Sequence, residues 1–172
     1  MGEIGDFHVI GEVQNNAAKA LEFVEITATF YDSTGKVVGT ESGFTEIDIL
    51  RPTETSCFDI LVTDKQQSQK IDNYKLSVSG DQTFESKPAN LKLNVGDSFT
   101  DSIDSYHIVG EVTNQGNQAT KFVKVAGAFY NDQNQVLFLT TSDDQTKHFT
   151  AIISRIYPSV NIENCHEKLE MK

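Results

Sequence analysis

The feature that most constrains the fold of this chain is an internal repeat. Residues 7–38 and 106–137 align without a gap at an offset of 99, and eleven of the 32 aligned positions are identical. In the first copy these are His8, Gly11, Glu12, Val13, Asn15, Ala20, Phe23, Val24, Phe30, Tyr31 and Val37. Because solenoid units are only about 20–50 residues long, this repeat predicts two tandem copies of one domain within the 172 residues.

Within each copy, apolar and polar residues alternate as they do in β-strands that are buried on one face. Residues 7–13 (FHVIGEV) predict a strand with Val9 inside and with His8 and Glu12 outside. Residues 23–31 (FVEITATFY) predict a second strand, whose inner residues are Val24, Ile26, Ala28 and Phe30. The sequence predicts further strands over 36–44, 56–62 and 74–79, and a polar loop over 64–72.

The turn after the second strand is also repeated. Residues 31–36 align with 130–135, and Gly35 in the first copy is replaced by Asn134 in the second. Glycine and asparagine are the residues that best tolerate a positive φ. The substitution therefore predicts a hairpin with one left-handed position.

The two copies differ at their ends. Residues 74–78 have an echo in 167–171 at an offset of 93, and residues 58–60 have a looser echo in 156–158. The second copy is therefore predicted to have a shorter last loop and a minimal final strand. Short strands in units of about 90 residues favour an all-β fold of two small β-sandwich domains, over residues 1–88 and 89–172.

The repeated residues resemble those of the FxLYD domain family. The resemblance is carried by HVIGEV from His8 to Val13, by Phe23-Val24, by the segment 28–32 (ATFYD), and by 50–54 (LRPTE) followed by Phe58. The positions that give the family its name hold Ala28 and Phe30 here, and Gly127 and Phe129 in the second copy. The resemblance implies tandem immunoglobulin-like sandwiches in extracellular or cell-surface proteins of bacteria or archaea, and it supplies no catalytic residue.

Charge and hydropathy exclude several classes of partner. The chain has 25 acidic and 14 basic residues, and its net charge of -11 would repel nucleic acid and anionic lipid. No apolar run approaches the ~20 residues that span a bilayer, so we expect no membrane insertion. The first residues (MGEIGDFHV) carry no basic and apolar signal-peptide pattern, so the sequence is expected to be cytoplasmic or to be a mature form or fragment of an extracellular protein.

Two sets of residues are candidate metal ligands. His8 and Glu12, repeated as His107 and Glu111, share one face of a strand but lie ~13 Å apart, which is too far for one ion. Asp97, Asp101 and Asp104 cluster before the first strand of the second copy, and with Glu41, Glu46 or Asp48 they are calcium candidates. A solvated acidic surface explains the same cluster, and no cofactor is expected.

Cys57 and Cys165 are too few to form a disulfide framework. Cys57 is predicted to be a buried strand residue, and the sequence leaves the pairing of the two thiols open.

The sequence carries none of the common catalytic motifs, including GxSxG, HExxH and the P-loop, and an enzyme is not expected. We expect one of two functions for such a chain. The first is a non-catalytic extracellular structural or interaction module of a cell-surface or envelope protein, acting in adhesion, as a stalk or in display. The alternative is a self-assembling filament subunit that adds strands at the end of the second domain. A small-ligand or ion-binding protein is a weaker third reading, and protein partners or self-association are expected.

Overall fold

A computed structural model describes residues 7–85, 90–102, 106–117, 123–130, 136–143, 148–153 and 166–171. The described chain is mostly β-strand, which confirms the all-β class. It divides into two compact units, Met1–Phe84 and Glu85–Lys172. The elements of the first unit are β1 (Phe7–Gln14), β2 (Leu21–Tyr31), β3 (Val37–Phe44), β4 (Ile49–Leu50), β5 (Thr55–Val62), α1 (Lys65–Ser68) and β6 (Asn73–Gln82). Those of the second are β7 (Leu91–Thr100), β8 (Tyr106–Asn114), β9 (Lys124–Tyr130), β10 (Val136–Asp143), β11 (His148–Ile153) and β12 (His166–Met171).

The first unit has two antiparallel sheets with a core between them. One sheet consists of β1 and β5. In the other sheet β2 is the central strand, with β3 and β4 paired along one edge and β6 along the other. The alternating residues of the sequence meet in this core, as predicted, because every second residue of a strand points to the same face. The buried cluster contains Val9, Ile26, Ala28, Phe30, Phe58, Ile60 and Val62.

The hairpin between β2 and β3 confirms the predicted left-handed position, since Gly35 has a φ of 82°. The carboxylate of Asp32 accepts hydrogen bonds from the backbone N–H and hydroxyl of Thr34 and from the N–H of Lys36. The hydroxyl bond from Thr34 and the N–H bond from Lys36 hold the pKa of Asp32 below its usual value. Asn134 of the second copy lies outside the described residues.

The polar segment 64–72 is not a loop throughout, because it contains the four-residue helix α1. Asp64 caps this helix, and its side chain accepts hydrogen bonds from the backbone N–H groups of Gln66 and Gln67. The strong capping residue explains how a short helix forms in a segment with no apolar periodicity.

The described residues of the second unit form two sheets of three strands each, in the orders β11-β8-β7 and β10-β9-β12. Strand β8 begins at the position of β1 plus 99 and is one residue longer, and β10 occupies the positions of β3 plus 99. The register of β12 on β9 places Glu167 opposite Phe129, as Tyr74 is opposite Phe30, so the offset of 93 recurs in the pairing. The echo at 156–158 lies outside the described residues. Strand β11 pairs with β8 as β5 pairs with β1, and Phe149 lies opposite Gly110.

Candidate functional site

The repeated histidine of the first unit is hydrogen-bonded to a carboxylate across the sheet of β1 and β5. Nδ1 of His8 lies 2.9 Å and 3.0 Å from the two carboxylate oxygens of Asp59. Both side chains lie on the outer face, and they are 42% and 33% exposed. Glu12 lies opposite Cys57 in the register, and its Oε1 is 4.0 Å from the Cys57 sulfur. The contact between His8 and Asp59 is a solvated surface pair, and such pairs contribute at most about 1 kcal/mol to stability.

The repeated histidine of the second unit has a different partner. Nε2 of His107 lies 2.8 Å from Oδ2 of Asp101, and its ring stacks on Phe99 with a centroid distance of 4.7 Å. Phe99 comes from β7 and is directly opposite His107 in the register. Histidine therefore meets a carboxylate in both units, but the carboxylates come from non-equivalent positions. Sequence reasoning missed both pairs because the partners are not part of the repeat.

The structure places two of the three calcium candidates. Asp97 lies in the irregular step of β7 between Val95 and Ser98, and Asp101 follows the end of that strand beside His107. Asp104 lies outside the described residues. Among the residues that are described, no group of three or more histidine, cysteine or acidic side chains could hold a metal ion. The calcium hypothesis stays a prediction.

Cys57 is buried, as predicted, and is 7% exposed. Cys165 lies outside the described residues, so the question of its pairing with Cys57 stays open.

Two repeated residues, Gly11 and Asn15, have structural roles in the first unit. At Gly11, an added Cβ would lie 2.9 Å from Cζ of the Phe58 ring, so the ring packs directly on the glycine. In the second unit the register places Gly110 opposite Phe149, as Gly11 is opposite Phe58 in the first. The repeated glycine therefore pairs with a phenylalanine position in both units, and in the first unit it leaves room for the ring.

Asn15 is the second such residue, and it is 2% exposed. Its amide donates to the carbonyls of Lys19 and Leu50, and its Oδ1 accepts from the N–H of Ala17. Asn114 makes the matching bond from the N–H of Gly116, at 2.8 Å. Repeated asparagine after a strand was the available sequence signal for this turn.

The most unusual surface of the first unit is an apolar stripe on β6, consisting of Tyr74, Leu76 and Val78. These residues are 46%, 44% and 53% exposed. In the register they lie opposite Phe30, Ala28 and Ile26 of β2, all fully buried at 0%. Directly opposite residues point to the same face of a sheet, so the stripe lies on the core face, where the sequence pattern predicts burial.

The reason for this exposure is the unequal width of the two sheets. Within the described residues, the β1–β5 sheet has two strands and the opposite sheet has three across its width. Among the described residues no strand pairs with the outer edge of β1. This edge of β1 and the apolar stripe together form what we call the open end of the first unit.

The chain was compared with known proteins at three levels. No family model matches it, no curated protein matches it, and no solved structure matches it. The resemblance to the FxLYD family therefore stays a prediction from the residues quoted above.

The described part of the chain also contains no helix that is long and apolar enough to cross a membrane.

Proposed function

We propose that this chain is a non-catalytic structural or interaction module of a cell-surface or envelope protein, built from two tandem immunoglobulin-like β-sandwich domains. The observation that carries the proposal is what the repeat preserves. The described repeated residues are core residues such as Phe30, a glycine that lies under an aromatic ring in the first unit, a turn asparagine, and histidines hydrogen-bonded to carboxylates.

This pattern favours a scaffold over an enzyme. A duplicated catalytic site would repeat its reactive side chains together with their partners, since nucleophile, base and orienting group act as one unit. Here His8 and His107 recur, while their carboxylate partners, Asp59 and Asp101, come from different places in the two units. The two copies therefore share the residues of the core and turns, while the surface partners of their histidines differ.

The extracellular context is tested by protease treatment of intact cells that express the native gene. If the module is displayed on the surface, peptides of this chain are released before lysis and are identified by mass spectrometry. Peptides that appear only after lysis, with a known surface protein released normally, would overturn the proposed location.

The second candidate function, a self-assembling filament subunit, is favoured by the open end, because an unpaired strand edge invites addition of another strand. Light scattering over a wide range of protein concentration, with negative-stain microscopy of the same sample, separates the two functions. A constant mass of 19.1 kDa supports the display module, and growing oligomers or fibres support the filament.

A further inference from the structure

We propose that the open end of the first unit is a strand-accepting site, which binds an extended segment of a partner protein with apolar residues at alternate positions. The segment would pair with the outer edge of β1 and cover the apolar stripe of Tyr74, Leu76 and Val78. This inference rests on the proposed interaction role, and it names the chemical class of the partner.

Among the described residues, the strand position beside β1 on the side away from β5 is open. Strand β5 lies next to β3, because Thr45, directly after β3, forms a bridge with Phe58. Strand β1 lies across from β2, where the rings of Phe7 and Phe30 are 5.9 Å apart. The next position beyond β1 therefore lies across from β6, the strand that carries the apolar stripe.

The second unit contains a strand at the corresponding position. Strands β10 and β11 contact each other at one end of the two sheets. The sheet orders then place β7 and β12 across from each other at the other end. Strand β7 pairs antiparallel with β8, from Leu91 opposite Asn114 to Thr100 opposite Tyr106. Because β8 is the copy of β1, β7 identifies the kind of segment that the open edge of β1 accepts.

The side chains of β7 define the chemistry of that segment. Leu91 and Leu93 are half-buried, while Lys92 and Asn94 between them are exposed. This alternation gives one apolar face toward the opposite sheet and one polar face toward solvent. In strand addition, backbone hydrogen bonds supply affinity and the alternate side chains supply specificity.

The test uses the full 172-residue chain and a fluorescent synthetic peptide with the sequence of residues 90–100, NLKLNVGDSFT. Binding is measured by fluorescence anisotropy, and we expect saturable binding of one peptide per chain. A peptide with Leu93→Asn and Val95→Asn keeps the length and charge, and we expect it to bind at least about tenfold more weakly.

A matched pair of variants locates the site on the protein. Val78→Lys places a charge on the apolar stripe. We expect it to weaken binding at least about fivefold, because the peptide can no longer bury an apolar side chain at this position. Ser77→Lys adds the same charge to the neighbouring residue, which points to the other face of β6, and is expected to change the affinity less than about twofold. Both positions are exposed, and circular dichroism checks that both variants fold.

Hydrogen exchange supplies a second readout at the backbone. Peptide binding should slow amide exchange in β1 specifically. Slowed exchange only in β8 would mean that the peptide replaces β7 in the second unit, and this would overturn the proposal. Failure to bind at ~1 mM peptide, or equal binding to Val78→Lys and Ser77→Lys, would also overturn it.

The peptide also tests whether a second copy of the chain occupies the open end. If the chain is dimeric and the peptide dissociates the dimer, the donor is a second copy, and strand acceptance at the open end is supported. The result of the cell-surface protease experiment does not depend on peptide binding, so the inference and the proposed function fail separately.

Discussion

Replacing Gly11 with alanine tests whether the repeat preserves packing. The new methyl group would lie 2.9 Å from Cζ and 3.0 Å from Cε1 of Phe58, a ring that is itself 2% exposed. Overpacking of this kind costs about 1–3 kcal/mol, while loss of glycine flexibility in the unfolded chain returns about 0.4–1 kcal/mol. We expect a net loss of about 1–2 kcal/mol, which lowers the Tm of the first unit by roughly 4–16 °C.

Urea and thermal unfolding followed by circular dichroism measure this loss on the full chain. The variant Gly11→Ala/Phe58→Leu is the key comparison, because a smaller side chain at position 58 makes room for the methyl group. A double-mutant cycle should then give a coupling energy of at least about 0.5 kcal/mol. His8→Ala, on the outer face of the same strand, is the control and should cost less than about 1 kcal/mol. The packing argument would be refuted if Gly11→Ala left the free energy of unfolding unchanged. It would also be refuted if the free-energy changes of Gly11→Ala and Phe58→Leu were strictly additive.

Three further predictions follow from the first unit. Asn15→Ala should cost about 1–3 kcal/mol by urea unfolding, because it leaves the carbonyl of Leu50 without its buried donor; a cost under about 0.5 kcal/mol would contradict this. Leu50→Ala should cost about 2–5 kcal/mol and Leu76→Ala less than half of that, because the first leucine is fully buried and the second is 44% exposed; equal losses would mean that the stripe is covered. The lowered pKa of Asp32 means that its carboxylate stabilises the fold above its unfolded pKa of about 3.9, and that this contribution is lost as the pH falls through the folded pKa. The stability difference between the parent chain and Asp32→Asn should therefore shrink as urea midpoints are measured from about pH 6 to about pH 2, and a constant difference would contradict the assignment.

The strands of the first unit were largely predictable because each one is a local pattern. Alternation alone predicts that Val24, Ile26, Ala28 and Phe30 are buried, and the exchange of Gly35 for Asn134 indicates the hairpin. Strand β7 was not predicted, because Gly96 and Asp97 lie at its irregular step and interrupt the period of two.

The surface features could not be predicted because they depend on residues far apart in the chain. His8 and Asp59 are 51 residues apart, and nothing in either segment indicates the other. Tyr74, Leu76 and Val78 show the pattern of a buried strand, and their exposure results from the width of the opposite sheet. Side-chain periodicity identifies the face of a strand that can be buried, but it does not specify what covers that face.

The central structural claim is that the first unit accepts a strand at its open end. The most direct measurement replaces residues 1–6 with the sequence of residues 90–105, so that a copy of the β7 segment precedes β1 as β7 precedes β8. Covering three half-exposed side chains would contribute about 2–4 kcal/mol, less the entropic cost of ordering the added residues. We predict a higher urea midpoint for the first unit and loss of binding of the free peptide. An unchanged midpoint with unchanged peptide binding would contradict the account.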